Sequence, residues 1–206
     1  MRGIKNALLY HIKSNTSYYI ASVLTYFLGI AAGMSAVKLT KPDTLQRLCT
    51  YMISNIEAMK SGGTLPWDVF AASAAGNTKL LIYIWVSSLT FIGIAAIGLL
   101  IFYKGFSTGY TIGILSAITT KRAILAIFAT LPQNLIFLPA LFFLGAISLK
   151  LSMEFFHICI LHRHSNEDMK AAFIKHTFLT LLSALLIVIA AFIEGYISLP
   201  LMRIWG

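Results

Sequence analysis

Apolar positions fall into long runs separated by short polar segments, and the periodicity changes from run to run. In residues 1–17, Ile4, Leu8 and Ile12 share one helical face while Arg2, Lys5, His11 and Lys13 occupy the rest. That spacing predicts an amphipathic helix lying in the headgroup plane, apolar stripe down and basic residues against anionic lipid. The first continuous apolar run, from about Tyr18 to Val37, predicts a membrane span, with Gly29 and Gly33 spaced for close helix approach. No small-x-small cleavage pattern follows Ala36, so this run is expected to remain as a span.

The segment 38–77 reads as a loop outside the bilayer carrying its own helices. Leu45, Leu48, Met52, Ile56 and Met59 recur at three- and four-residue steps and stop at Gly62-Gly63. A second short helix is expected to open at Pro66-Trp67-Asp68, with proline in its first turn, and to close at Gly76-Asn77. A second span is read from Leu80 to Phe102, with Trp85 and Tyr103 as interfacial anchors and Lys104 closing it. Gly105, Gly109 and Gly113 then punctuate a short run to Thr120, about 24 Å long as a helix, which either crosses or is re-entrant.

From Ala123 to Leu149 the chain is apolar except for Pro132-Gln133-Asn134 and Pro139. A proline in a helix removes one backbone donor and crowds the carbonyl four residues back, and in lipid the freed groups need partners within the protein. This predicts a proline-broken span whose amides face the bundle, read first as a kinked packing helix and alternatively as a solute site built on the break. Ser165 with Asp168 resembles a capping box, and the last span runs from about Ala172 to Leu199 with Glu194 in its final turns. The expected fold is therefore all-α: one polytopic domain over residues 1–206, about five transmembrane segments, an N-terminal amphipathic helix and one proline-broken span.

Composition agrees, with 58% hydrophobic and 11% charged residues and a mean hydropathy of +0.83. The net charge of +9 would suit a nucleic-acid binder, but the basic residues are spread over loops and termini, where anionic lipid attracts them, so nucleic acid is not an expected partner and membrane lipid is. Cys49 and Cys159 stand alone, with no CxxC partner. With five crossings, eight basic residues fall on each side, and the cluster Arg2, Lys5 and Lys13 before the first span decides for a cytoplasmic amino terminus. Segment 38–77 and the carboxyl terminus are then outside.

Candidate chemistry is sparse. Glu154 and His157 have the i, i+3 spacing of half a carboxylate-bridged di-metal site, but the chain has 7 acidic residues and no second Glu-x-x-His to complete it. Asp43, Glu57 and Asp68 are the outer-loop carboxylates, expected on solvated helix faces rather than across a sugar-cleaving cleft. No metal, no cofactor and no enzymatic activity are expected. Glu194 is the residue most expensive to embed in lipid. It is read either as an interfacial carboxylate near Arg203 or a tyrosine, or as a contact within the bundle, with Asn134 or Lys121 as possible partners.

Three blocks carry a resemblance: Lys104-Gly105-Phe106-Ser107-Thr108-Gly109-Tyr110-Thr111, Leu131-Pro132-Gln133-Asn134-Leu135-Ile136 with Leu138-Pro139-Ala140, and Glu194-Gly195-Tyr196-Ile197-Ser198 with Leu201-Met202-Arg203. In order and spacing they resemble the stage II sporulation protein M family, most strongly from about Asn77 to Arg203. Broader relatives carry His-Gly and a Glu in the proline block, where this chain has Gln133-Asn134 and Phe137; the amide form resembles the sporulation branch. The resemblance implies a non-catalytic scaffold in the cell membrane of endospore-forming bacteria. It would anchor and localise two peptidoglycan-remodelling partners, stage II sporulation proteins D and P, on the mother-cell side of the septum during engulfment of the forespore. The rival is a transporter or permease-like component using the broken helix around Pro132 and Pro139, and the glycine spacing also allows a homodimer.

Overall fold

A computed structural model describes residues 13–118, 120–160, 169–198 and 200, with side chains for all of these except 60 and 120–131. Most of the expected N-terminal amphipathic helix, the Ser165–Asp168 cap, Arg203 and the Lys121 side chain lie outside the described residues. The elements are α1 (Thr16–Leu39), α2 (Pro42–Lys60), α3 (Pro66–Ser88), α4 (Gly93–Ile118), α5 (Thr120–Cys159), α6 (Met169–Ile193) and a π-helical turn, Glu194–Ser198. There is no strand among the described residues. The molecule is a helical membrane protein.

Local chemistry sets the boundaries. Lys41 and Leu65 are extended because each precedes a proline, and Pro42 and Pro66 then open α2 and α3 with Asp43 and Asp68 in the first turns, where the helix dipole favours negative charge. Gly62 follows α2 at φ 81°, the left-handed position that terminates a helix without a Cβ penalty. Of the described helices α2 alone is strongly amphipathic; the others bury a narrow stripe and turn apolar residues outward.

That inversion identifies the solvent. Ser22, Ser88, Ser148, Ser152 and Ser183 are fully buried, while Leu24, Phe27, Leu28, Leu99, Phe178 and Leu181 are exposed. In water this arrangement would expose far more apolar surface than a monomer tolerates; in lipid it is the expected one, small polar residues pairing inside and hydrocarbon facing hydrocarbon. Thr16–Leu39, Pro66–Ser88, Pro132–Cys159 and Met169–Ser198 are long and apolar enough to cross a membrane. Helix α4, whose 26 residues include Lys104 and the Gly-Ser-Thr block, is about 39 Å long and packs along α1 as a fifth rod of the bundle.

Two boundaries differ from those read in the sequence. The apolar stretch Leu80–Phe102 is not one span: the chain turns at Leu89–Ile92, so its first part completes α3 and its second opens α4. The helix opened by Pro66 accordingly does not stop at Gly76-Asn77, and the run from Gly105 to Ile118 is neither separate nor re-entrant. Tyr103, expected at an interface, stands mid-helix. The turn is held by serine and threonine: Thr90 Oγ1 donates to the Ser87 carbonyl at 2.9 Å, and Ser152 Oγ on α5 donates to the Thr90 carbonyl at 2.7 Å. A Cβ on Gly93 would collide with the Ser87 carbonyl and lie 2.7 Å from Ser152 Oγ, so only glycine fits. Ser152→Ala is expected to remove one buried hydrogen bond worth about 1 kcal/mol. It would speed hydrogen exchange at the amides of residues 89–93 while leaving those of α1 unchanged.

The core forms where α5 meets the other rods, with Ile84, Ile97, Ile101, Phe137, Leu141, Leu144 and Ile187 buried together. Pro132 and Pro139 both lie inside α5, a single 40-residue element. The prolines remove ladder bonds without ending the helix.

A glycine seam and an intramembrane polar chain as candidate functional site

Helices α1 and α4 meet along glycine. Every three or four residues α1 buries Ser22, Tyr26, Gly29, Gly33 and Val37, and α4 answers with Gly105, Gly109 and Gly113. A Cβ on Gly29 would collide with the Phe102 carbonyl and stand 2.9 Å from the Phe106 nitrogen; on Gly33 it would collide with the Phe106 carbonyl. Gly105 and Gly109 are seated equally hard against the Tyr26 and Ile30 carbonyls, whereas Gly113 faces the Val37 side chain. These glycines serve a contact within one chain, so the surface that motivated a homodimer is occupied.

The seam brings Lys104 against α3 and α5, where a continuous chain of polar groups begins. Lys104 Nζ donates to Asn77 Oδ1 at 3.0 Å, and Asn77 Nδ2 donates to Ser73 Oγ at 3.2 Å, one helical turn away on α3. Ser73 in turn bonds the Glu194 carboxylate, and Gln133 Nε2 donates to Glu194 Oε2 at 2.6 Å. Lys104 also sits 4.8 Å from the centre of the Phe137 ring, a cation–π contact. Lysine and glutamate feel each other's charge, but each is held by an amide rather than by the other. A charge in a bilayer is tolerated when its hydrogen-bonding capacity is met by protein, and here α3, α4, α5 and the π turn each supply a member.

The π turn aims Glu194. One extra residue per turn rotates the end of α6 towards the start of α3, and Gly195 permits the approach: a Cβ there would meet the Pro66 carbonyl at 2.5 Å and the Phe70 nitrogen at 3.1 Å. Phe192 stacks on Tyr196 at 4.4 Å, and its ring stands edge-on to Phe70 at 6.2 Å, which fixes the same junction.

The residues picked from the sequence divide accordingly. Gln133 is buried and bonded to Glu194; Asn134 and Pro132 are half-buried outside this chain, and Pro139 is exposed. Glu194 is thus a bundle contact, and its partner is Gln133 rather than Asn134. Lys104, Asn77, Ser73 and Ser107 were missed. The sequence pattern makes Lys104 the cap of a span ending at Phe102, although a lone lysine inside the apolar run Gly93–Ile118 is itself a signal of an intramembrane site.

A cavity of about 670 Å³ opens beside this chain, between α3 and α4. Lys104, Gln133 and Glu194 line its depth, Ala72, Gly76, Tyr103 and Ser107 its walls, and Thr64 and Asp68 the end nearest α2. At the other end of the bundle Ser148 Oγ and His176 Nε2 share a buried hydrogen bond at 3.1 Å, beside a small pocket lined by Glu154 and Lys175. Among the described residues no three His, Cys, Asp or Glu side chains gather as metal ligands.

No curated protein and no solved structure matches the chain. The family model described as Stage II sporulation protein M matches residues 22–199, which covers α1 from Ser22 onward, the first two blocks read in the sequence, the Glu194–Ser198 part of the third, and every member of the polar chain. With the helical membrane fold and that match over most of its length, the chain belongs to the stage II sporulation protein M family.

Proposed function

We propose that this protein is a non-catalytic scaffold of the sporulation membrane, anchoring and localising the peptidoglycan-remodelling stage II sporulation proteins D and P at the septum during engulfment. The observation that carries the reading is α2. It is the one strongly amphipathic helix described, it makes its main contact with α4, and Tyr51, Leu65 and Trp67 in and beside it are exposed. A rigid bundle under a surface helix suits capture of partners by contact rather than by chemistry. In this reading α2 lies outside the cytoplasmic membrane, where peptidoglycan is, and the mother cell supplies the protein.

The test is capture of the two partners by the nanodisc-embedded chain, compared with a Tyr51→Ala/Trp67→Ala variant and with one in which residues 40–63 are replaced by a flexible linker. Capture by the full chain that falls at least about tenfold in both variants is expected, a loss of about 1.4 kcal/mol or more. Absence of capture by a folded full chain rejects the scaffold. A second reading, solute movement, draws on the polar cavity and predicts uptake by proteoliposomes that Glu194→Gln diminishes.

A further inference from the structure

We propose that the cleft between α3 and α4 is a cradle for the headgroup of a zwitterionic phospholipid, phosphatidylethanolamine being the fitting chemistry. The cleft opens sideways: Ala72 and Gly76 on α3 and Tyr103 and Ser107 on α4 line it and are nevertheless exposed. Tyr83 and Leu99, nearby on the same two helices, are 57% and 68% exposed, so acyl chains can lie along the outside while the headgroup enters.

Charge is ordered along the cleft. Lys104 is bonded at the level of Asn77, and Glu194 at the level of Ser73, one turn or about 5.4 Å closer to the α2 end. Asp68 lies further out again on α3. A cation deep and carboxylates shallow complement a phosphate deep and an ammonium shallow, which is the order these groups keep in a lipid of that leaflet. The two-carbon link of ethanolamine spans about one such turn. Lys104 has three N–H donors; one is used by Asn77, and the cavity receives what the Phe137 ring does not cover. Phosphatidylglycerol, whose headgroup has hydroxyl donors but no cation, would meet Glu194 and Asp68 without a charge to pair with them. A water-borne ligand has no need of a lateral opening.

Native mass spectrometry of the full chain, delipidated and titrated with phosphatidylethanolamine or phosphatidylglycerol of matched acyl chains, tests this. One molecule of phosphatidylethanolamine should be retained about tenfold more tightly than phosphatidylglycerol. Gly76→Phe, whose Cβ meets nothing within 4 Å, narrows the cleft and should abolish that preference. Ser107→Leu, a second way of narrowing it, should do the same, and Gly98→Phe, equally unobstructed but outside the cleft, should not. Equal retention of both lipids, a preference that survives both cleft variants, or displacement by soluble glycerophosphoethanolamine would overturn the proposal, the last assigning the cavity to a solute.

Discussion

Replacing Gly109 by leucine unfolds or misassembles the bundle. The new Cβ would collide with the Ile30 carbonyl and stand 2.7 Å from Ile30 Cα. Both atoms are backbone, so no rotamer change relieves the contact and α1 must move away from α4. Overpacking a well-packed core costs about 1–3 kcal/mol when side chains can yield, and the expected loss here lies above that range. Gly33→Leu should behave alike, because its Cβ would press on the Phe106 carbonyl and the Tyr110 nitrogen. Gly113→Ala should lose only about 1 kcal/mol, since its neighbour is the Val37 side chain, which can shift. Gly98→Leu, with open space around the site, should be neutral or slightly stabilising, because glycine is a poor helix former. Thermal unfolding of the purified chain in detergent, read by helical signal, ranks the four. If Gly109→Leu kept the wild-type midpoint while dissociating a dimer, the glycines would serve a contact between chains, and the α1–α4 seam would be wrong.

This seam was half legible in the sequence. Small residues at four-residue spacing announce a close helix contact, and both stripes could be read from Gly29 to Gly113. Spacing does not name the partner, and the two stripes bind each other because α1 and α4 lie parallel, Tyr26, Ile30 and Val37 in register with Gly105, Gly109 and Gly113, with carbonyls facing glycines, which is a fact of topology. The turn at Leu89–Ile92 hid for a different reason. Leu89, Phe91 and Ile92 are as apolar as any span, and hydropathy averages across them; what ends the helix is the pair Thr90 and Gly93, with a hydroxyl from α5 more than sixty residues away completing the turn. Placing the break correctly would have put Lys104 in the middle of α4 and marked it as an intramembrane charge. The amide at Gln133 was legible as an interior group because a polar side chain in that run has nowhere else to go. Its partner was not, since Glu194 reaches it only through the π turn.

The same geometry separates two adjacent amides that sequence treats alike. Gln133→Leu deletes the donor at 2.6 Å from Glu194 Oε2 and leaves the carboxylate with Ser73 as its hydrogen-bond donor and Lys104 acting only through its charge, so a loss of about 2–4 kcal/mol is expected. Asn134→Leu touches neither member of the pair and should change stability by about 0.5 kcal/mol or less, the ordinary range for a position without a special contact. Glu194→Gln keeps an oxygen for Gln133 Nε2 to bond and removes the charge that Lys104 feels, so it should fall between the two. A double-mutant cycle on Gln133→Leu and Glu194→Gln should return a coupling of about 1–3 kcal/mol, whereas the cycle pairing Asn134→Leu with Glu194→Gln should return close to none. Unfolding midpoints in a mild detergent supply all of these values. Equal losses from Gln133→Leu and Asn134→Leu would mean that the proline block needs amides only to satisfy its own opened ladder, and the polar chain from Lys104 to Gln133 would then have no part in holding α3, α4, α5 and the end of α6 together.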